Sequence, residues 1–343
     1  MPDIKNLSLK ELQDILESWN KPSFHAAQIF SWIYQKGVLN FEQMSDLPAD
    51  LRKELKDNFS IRSLELVESL ESVDQTKKIL FKLEDGNFIE SVIIPSRDRV
   101  TGCVSTQVGC KYNCCFCASG LSGFKRNLSI AEIIEEILFL KDESAGYKLS
   151  HLVFMGTGEP LDNYENLLKV IRMINSKETL NIGARRITIS TCGLIPGIKK
   201  LAEEGLQIEL SVSLHAADDQ TRSQLIPINK KYPLKDLLKA CEEYIEKTDR
   251  QITFEYILIK GLNSDLKHAQ RLAKILENLR LVKVNLIPAN SIKELKIQPA
   301  PRAKVLAFKD YLLKHGINVT LRQVRGEDIN AACGQLRLRY ENK

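Results

Sequence analysis

Four of the chain's eight cysteines fall within residues 110–117, and three of them, Cys110, Cys114 and Cys117, repeat in the spacing C-x3-C-x2-C. A loop this short can wrap one corner of a cube. Each thiolate could then hold one iron of a [4Fe–4S] cluster and leave the remaining iron open to a ligand. A structural zinc site would need a fourth protein ligand to close its tetrahedron. Cys103 or Cys115 could supply it, but no second C-x2-C or Cys/His pair follows at zinc-ribbon spacing. The cluster is the better account of this run, with Cys115 packed in the loop.

Hydrophobic residues make up 43% of the 343 and charged residues 27%, the balance of a globular protein that buries a core without crosslinks. Half of the cysteines crowd one loop, which argues for metal and redox chemistry and against a disulfide scaffold. Lys and Arg outnumber Asp and Glu by 49 to 44, and a pI near 8.6 permits an RNA partner. No apolar run approaches the ~20 residues of a membrane span, so no membrane partner and a cytoplasmic location are expected.

Leu7, Leu9, Leu12, Ile15 and Leu16, and then Ala27, Ile29, Phe30, Ile33 and Tyr34, recur at helical spacing, and Asp46-Leu47-Pro48 opens a third helix. Residues 1–60 therefore predict a small helical domain, whose Lys21, Lys36, Arg52, Lys53 and Lys56 could touch RNA or form a solvated face. Across residues 61–95 the period changes to two. Segments 76–83 and 87–95 flank Asp85-Gly86 and predict a β-hairpin linker. Glu90 interrupts the apolar run of the second strand, and alternation favours its outward face over a place in a site.

In residues 96–343, strands at 150–155, 186–190, 208–214, 252–259, 283–287 and 318–321 alternate with helices at 130–141, 161–175, 194–204, 234–247, 265–279 and 301–314. That order predicts an α/β fold built on a parallel sheet, a partial (β/α)6 barrel with its site at the strand C-termini. Gly156-Thr157-Gly158-Glu159-Pro160 follows the first of these strands. Its glycines let backbone approach a ligand, and a buried Glu159 could pair with an ammonium. Ser190, Ser213, Leu214, His215 and Asn290 lie at later strand ends, where polar groups could bond a ribose or carboxylate or simply meet solvent. His215 alone reads more readily as a structural hydrogen-bonder. Near the end of the chain, Cys333 stands in an uncrowded Ala331-Ala332-Cys333-Gly334 turn.

The cysteine run, with Phe116 just before its last ligand, resembles the radical S-adenosylmethionine (SAM) superfamily, in which the open iron chelates SAM. The 156–160 segment resembles the part of that superfamily that holds the SAM amino group, which makes Gly158 and Glu159 expected SAM contacts. Cys103, the cluster run, the 156–160 segment, Ser213-Leu214-His215-Ala216 and residues 325–336 together resemble the ribosomal RNA adenine C2-methyltransferases of that superfamily over essentially the whole chain. Thr157 and Pro160 match this family, whereas a sister family that methylates C8 of the same adenine has Met and Ala there.

The resemblance implies 23S rRNA as substrate, tRNA as a second substrate of some members, an external one-electron donor of flavodoxin type, and a monomer. It further implies a [4Fe–4S] cluster on Cys110, Cys114 and Cys117 and two SAM molecules per turnover. The first SAM methylates Cys333, since a thiolate is a good nucleophile. The second yields a 5′-deoxyadenosyl radical that activates the S-methyl group for addition to C2. Carbon 2 of adenine lies between two ring nitrogens and is too electron-poor for ordinary methyl transfer. Glu90 would be the base that removes the C2 proton, which returns it to the site despite the alternation argument. Cys103 would attack the sulfur of Cys333 and release the product, leaving a disulfide.

Lys125, Arg126, Arg185, Arg186, Lys230, Lys231, Arg322, Arg325, Arg337 and Arg339 are candidate phosphate contacts, each also explicable as a solvated charge. From a different class, a zinc-dependent RNA-binding protein remains the competitor. Prepared without oxygen, the protein should be brown with about four irons per chain. A colourless protein with about one zinc would overturn the cluster assignment.

Overall fold

The structure is a computed structural model. It describes residues 1–62, 64–97, 99–144, 148–289, 297–323, 325, 326, 328, 329, 336 and 340. The chain opens with three helices, α1 (Leu9–Ser18), α2 (His25–Phe30), which runs on into a π turn, and α3 (Ala49–Asn58). Ser8 starts α1 with a reciprocal cap: its hydroxyl accepts the Glu11 N–H, and the Glu11 carboxylate accepts the Ser8 N–H at 2.6 Å. Leu12, Leu16, Ile29, Phe30, Leu51 and Leu55 are buried together, each such side chain contributing about 1.5–3 kcal/mol. Lys5 fastens this domain to the rest of the chain. Its buried ammonium lies 3.1 Å from Asp3 and 3.3 Å from Glu135 and donates to the Arg62 carbonyl.

Four strands follow as an antiparallel meander: β1 (Glu65–Glu71), β2 (Lys77–Lys82), β3 (Phe88–Ser96) and β4 (Arg99–Cys103). A two-stranded ribbon, β5 (Gln107–Gly109) and β6 (Phe124–Asn127), then brackets the cysteine loop. β7 (Leu149–Phe154), β8 (Ile187–Thr191), β9 (Glu209–Ser213), β10 (Ile252–Leu258), β11 (Val282–Pro288) and β12 (Asn318–Leu321) continue from β4 in parallel. Both groups belong to one ten-stranded sheet in the order β1-β2-β3-β4-β7-β8-β9-β10-β11-β12. The hairpin joining the helical domain to the barrel is thus hydrogen-bonded into the barrel's own sheet.

Helices α4 (Ile130–Glu143), α5 (Tyr164–Asn175), α6 (Ile195–Glu203), α7 (Asp219–Leu225), α8 (Leu234–Thr248), α9 (Leu266–Leu276) and α10 (Arg302–Lys314) connect the parallel strands. Among the described residues no helix is long and apolar enough to cross a membrane.

Residues in register on adjacent strands share a face. One face collects Ile187, Ile189, Leu210, Val212, Ile252, Phe254, Val284 and Leu286, all buried in the main core. The other collects Ser190, Ser211, Ser213, Thr253, Glu255, Asn285 and Thr320. Helices cover the aliphatic face, so the polar one is the inner wall of the barrel. Following the ladder back across the sheet, Val153 registers with Cys103, Cys103 with Val92, and Val92 with Lys78. Glu90 is two residues from Val92 and Leu80 two from Lys78, so Lys78, Glu90 and Cys103 all face inward.

This corrects the outward placement that alternation favoured for Glu90. Both faces of β3 are covered, and Glu90 is only 3% exposed. On the opposite face Ser91 donates to Glu136 of α4 at 2.5 Å, and the Ser105 N–H donates to the same oxygen at 2.9 Å. Glu136 is fully buried, and its Oε1 has no hydrogen-bond partner among the described residues. Burial pushes its pKa from 4.5 up to about 8. Across that window the folded chain keeps a proton that the unfolded chain releases, so stability falls as pH rises. Relative to Glu136→Gln, the unmodified protein should lose on the order of 1–3 kcal/mol by the alkaline end. Thermal denaturation of both proteins at a series of pH values checks this.

Candidate active site

The cysteine loop hangs between β5 and a tight turn at Ala118–Gly120. Gly109 enters it at φ +75°, and a Cβ there would lie 1.8 Å from the Gly123 carbonyl oxygen, so no other residue permits this crossing. The Cys110 N–H donates to that same oxygen at 3.1 Å, Cys117 N–H to the Cys114 carbonyl at 3.0 Å, and Cys115 N–H to Leu225 of α7 at 3.0 Å. Cys115 is thereby held in the loop through its backbone. Burial pushes the Cys110 thiol up to about 12 and the Cys114 thiol well above its usual value, with the neighbouring Cys117 and Cys110 sulfurs adding to the effect. Half-buried sulfurs that repel one another as thiolates ionise readily only around a cationic centre, which iron provides.

A cube needs only one thiolate at each of three corner irons, and the donor set fits that demand.

The 156–160 segment closes against the end of β4. Thr106 and Gln107 N–H groups both donate to the Thr157 carbonyl, at 2.9 and 3.1 Å. A Cβ on Gly156 would lie 2.6 Å from the Val104 carbonyl oxygen, and one on Gly158, at φ +110°, 2.6 Å from Gln107 Cβ. Glu159 is 3% exposed. Its Oε2 accepts the Cys192 N–H at 2.7 Å and its Oε1 the Leu161 N–H at 3.1 Å, while its own N–H donates to Gln107 Oε1. Burial raises its pKa. A fixed, desolvated carboxylate beside the cysteine loop suits an ammonium ligand.

At the far strand ends, Leu214 is fully buried and Ser213 is half-buried on the inner wall beside Glu255. Glu255 accepts from Asn285 Nδ2 at 2.8 Å, and Thr320 donates to Asn285 Oδ1 at 3.0 Å. Ser190 shares the wall through its register with Ser211. His215 turns the chain at φ +57°. Its Nδ1 accepts the Ile257 N–H at 3.1 Å, and the Phe116 ring meets it edge-on at 4.5 Å. The ring partner that the sequence did not reveal is therefore a backbone amide. Burial lowers the His215 pKa to about 3, so the imidazole is neutral.

Lys78 and Glu90 face each other at 3.1 Å, both buried, on the same wall as Cys103, which is 6% exposed. Asn290 and Cys333 lie outside the described residues. The described parts of the final segment are tied to the β1–β2 hairpin: Asp328 accepts from Ser72 at 2.5 Å, the Gly326 N–H donates to Asp74, and Tyr340 donates to Glu68 at 3.0 Å.

Several polar residues missed in the sequence prove central. Gln107 and Asn163 brace the loop behind the 156–160 segment, Asn163 donating to the Thr106 and Leu128 carbonyls at 2.8 Å. Arg222 is buried at the ends of β8 and β9. Gln107 and Asn163 flank the cysteine run and the 156–160 segment without belonging to either pattern, and Arg222 lies in neither, so no local signal marks them. Arg126, a candidate phosphate contact, is instead forked on Glu132 at 2.8 and 2.9 Å and paired with Asp85 at 2.6 Å. Arg337 and Arg339 lie outside the described residues.

A family described as the Radical SAM superfamily matches residues 104–273, and the ribosomal RNA large subunit methyltransferase N-terminal domain matches residues 2–61. The chain is 45% identical, over 99% of its own length and 99% of the relative's, to the probable dual-specificity RNA methyltransferase RlmN of Clostridium novyi. It is 46% identical to that of Geobacillus kaustophilus, over 98% and 93% of the two chains. It belongs to the RlmN family of radical-SAM RNA methyltransferases. A solved radical SAM methyltransferase from Sphaerobacter thermophilus superposes with a TM-score of 0.94 at 40% identity, covering 98% of this chain and 99% of that one. Membership implies a [4Fe–4S] cluster, SAM and an RNA substrate.

Gly156→Ala should cost SAM affinity about tenfold or more while destabilising the fold by roughly 1–3 kcal/mol, because its Cβ meets the Val104 and Ser105 backbone, which cannot give way, as well as the Ser105 hydroxyl. Equilibrium dialysis with SAM, alongside thermal melting, measures the two effects separately.

Proposed function

We propose that this enzyme methylates C2 of an adenine in 23S rRNA and, in keeping with the dual specificity named for its relatives, an adenine in tRNA. The observation that carries the proposal is the sheet register that sets Glu90 and Cys103 on one inner wall with Ser190 and Ser213, at the mouth where the cysteine loop and the 156–160 segment meet.

When bound on Cys110, Cys114 and Cys117, the cluster, together with two SAM molecules held by Gly158, Glu159, Ser190, Ser213, Leu214, His215 and Asn290, supplies a methyl group and a carbon-centred radical. Cys333 would carry the methyl group as a thioether and deliver its carbon to C2, the odd electron left on the adduct passing to a one-electron acceptor. Glu90, whose carboxylate lies 3.1 Å from the Lys78 ammonium, takes the C2 proton. The Cys103 sulfur then attacks the Cys333 sulfur. An S–S bond forms as the C–S bond breaks, and the released electron pair stays on the RNA carbon, which takes up a proton to become methyl. The target base must leave its stack to present C2, which fits a loop or partly unfolded nucleotide.

The C8 alternative is disfavoured by Thr157 and Pro160. Nucleoside mass spectrometry of RNA modified in vitro should find 2-methyladenosine; 8-methyladenosine would overturn the proposal. Glu90→Gln should slow turnover ~10²–10⁴-fold. Cys333→Ala should abolish methylation. Cys103→Ala should accumulate a covalent protein–RNA adduct, visible as a shifted band on a denaturing gel, and normal release by that variant would remove its resolving role.

A further inference from the structure

Arg222 of α7 is fully buried, the largest fully buried side chain among the described residues. Its guanidinium has five N–H groups. Nε donates to the Leu214 carbonyl at 3.2 Å, one terminal nitrogen to the Cys192 and Ser213 carbonyls at 2.8 and 3.0 Å, and the other to Asn229 Oδ1 at 2.8 Å. All four acceptors are uncharged. Among the described residues it forms no ion pair with a carboxylate. A carboxylate stands one hydrogen bond removed: Asn229, which accepts from Arg222, donates through Nδ2 to Asp219 Oδ1 at 2.9 Å. A buried cation without an anion in direct contact is costly in a low-dielectric interior, several kcal/mol even after relaxation.

A closer anion fits on its other side, at the cysteine loop. The Cys192 carbonyl that Arg222 grips belongs to a residue of the small buried cluster against which Cys110 and Cys114 pack. Leu225, less than one turn further along α7, accepts the Cys115 N–H at 3.0 Å, so α7 abuts the cysteine loop. The guanidinium is within electrostatic reach of the Cys114 sulfur. A thiolate-ligated cluster is anionic, and reduction by one electron adds a further negative charge.

We propose that Arg222 is the buried counter-charge of the iron–sulfur cluster and raises its reduction potential, favouring the reduced state that a one-electron donor produces. The proposal rests on the cluster assignment. Arg222 is a positioning residue for strands β8 and β9 as well, but hydrogen bonding alone leaves the potential indifferent to whether the side chain is charged.

The test is an anaerobic redox titration of the full chain without SAM, followed by electron paramagnetic resonance, with iron content measured on each sample. Arg222→Gln should move the midpoint at least 59 mV more negative, tenfold in the reduction equilibrium. Arg222→Lys, which keeps the charge and loses the fork, should move it by less than half as much. A Gln variant that holds its iron with an unmoved potential overturns the proposal and leaves the cluster intact. If the Gln variant does not retain iron, Arg222→Met, uncharged and of similar length, takes its place, and an unmoved potential there overturns the proposal; a tenfold fall in the Lys variant assigns the effect to the fork. Unmodified protein that assembles no cluster would instead overturn the assignment beneath the proposal.

Discussion

A parallel sheet whose outer face is sealed by helices has one surface left for polar groups, and the site depends on that constraint. Strand alternation forces every second side chain inward. Ser190, Ser211, Ser213, Glu255 and Asn285 therefore line the wall as a consequence of burying Ile189, Val212, Phe254 and Val284 behind it. The same register, carried through β4 into the antiparallel meander, turns Cys103, Glu90 and Lys78 to the wall. A slip of one residue in β3 would exchange Glu90 for Ser91. Glu136 guards against it, because its hydrogen bond to Ser91 forms only when Ser91 faces α4.

Ser105, just past the end of β4, joins these parts. Its hydroxyl donates to the Glu90 carbonyl at 2.8 Å and accepts the Thr157 N–H at 2.9 Å, and its own N–H donates to Glu136. One small side chain thus links the strand of Glu90, the strand of Cys103 and the 156–160 segment. Gly156 leaves the room for it, since a Cβ there would sit 2.7 Å from the Ser105 hydroxyl. Glycine in that segment serves the packing of two strand ends as much as the approach of a ligand.

The repeating strand–helix order, the hairpin around Asp85-Gly86 and the cysteine loop were legible because each is a local pattern of period or spacing. β4 was not: Arg99-Val100-Thr101-Gly102-Cys103 holds a glycine and little apolar character, and it is a strand because β3 and β7 flank it. β1, with glutamates at three of its seven positions, exposes much of its length and lacks an apolar face to read. Glu90 misled alternation because β3 is covered on both sides. Arg222, Gln107 and Asn163 act through backbone carbonyls and amides brought together by the fold, and partners of that kind leave no mark in the residue types nearby.

Cys192 shows how charge is arranged around the loop. Its N–H points to the Glu159 carboxylate and its carbonyl to the Arg222 guanidinium, so an anion and a cation are held at opposite ends of one residue, behind the sulfurs of Cys110 and Cys114. Among the described residues neither makes a direct ion pair, Arg222 reaching the Asp219 carboxylate only through Asn229. Placing them without ligands would leave two uncompensated buried charges. Under the assignments proposed above, an ammonium-bearing ligand would answer Glu159 and an anionic cluster Arg222, leaving the two halves of the site incomplete in opposite senses without them. On that reading, binding one cofactor would relieve only one of them, and a site balanced this way would favour holding the cluster and SAM together over holding either alone.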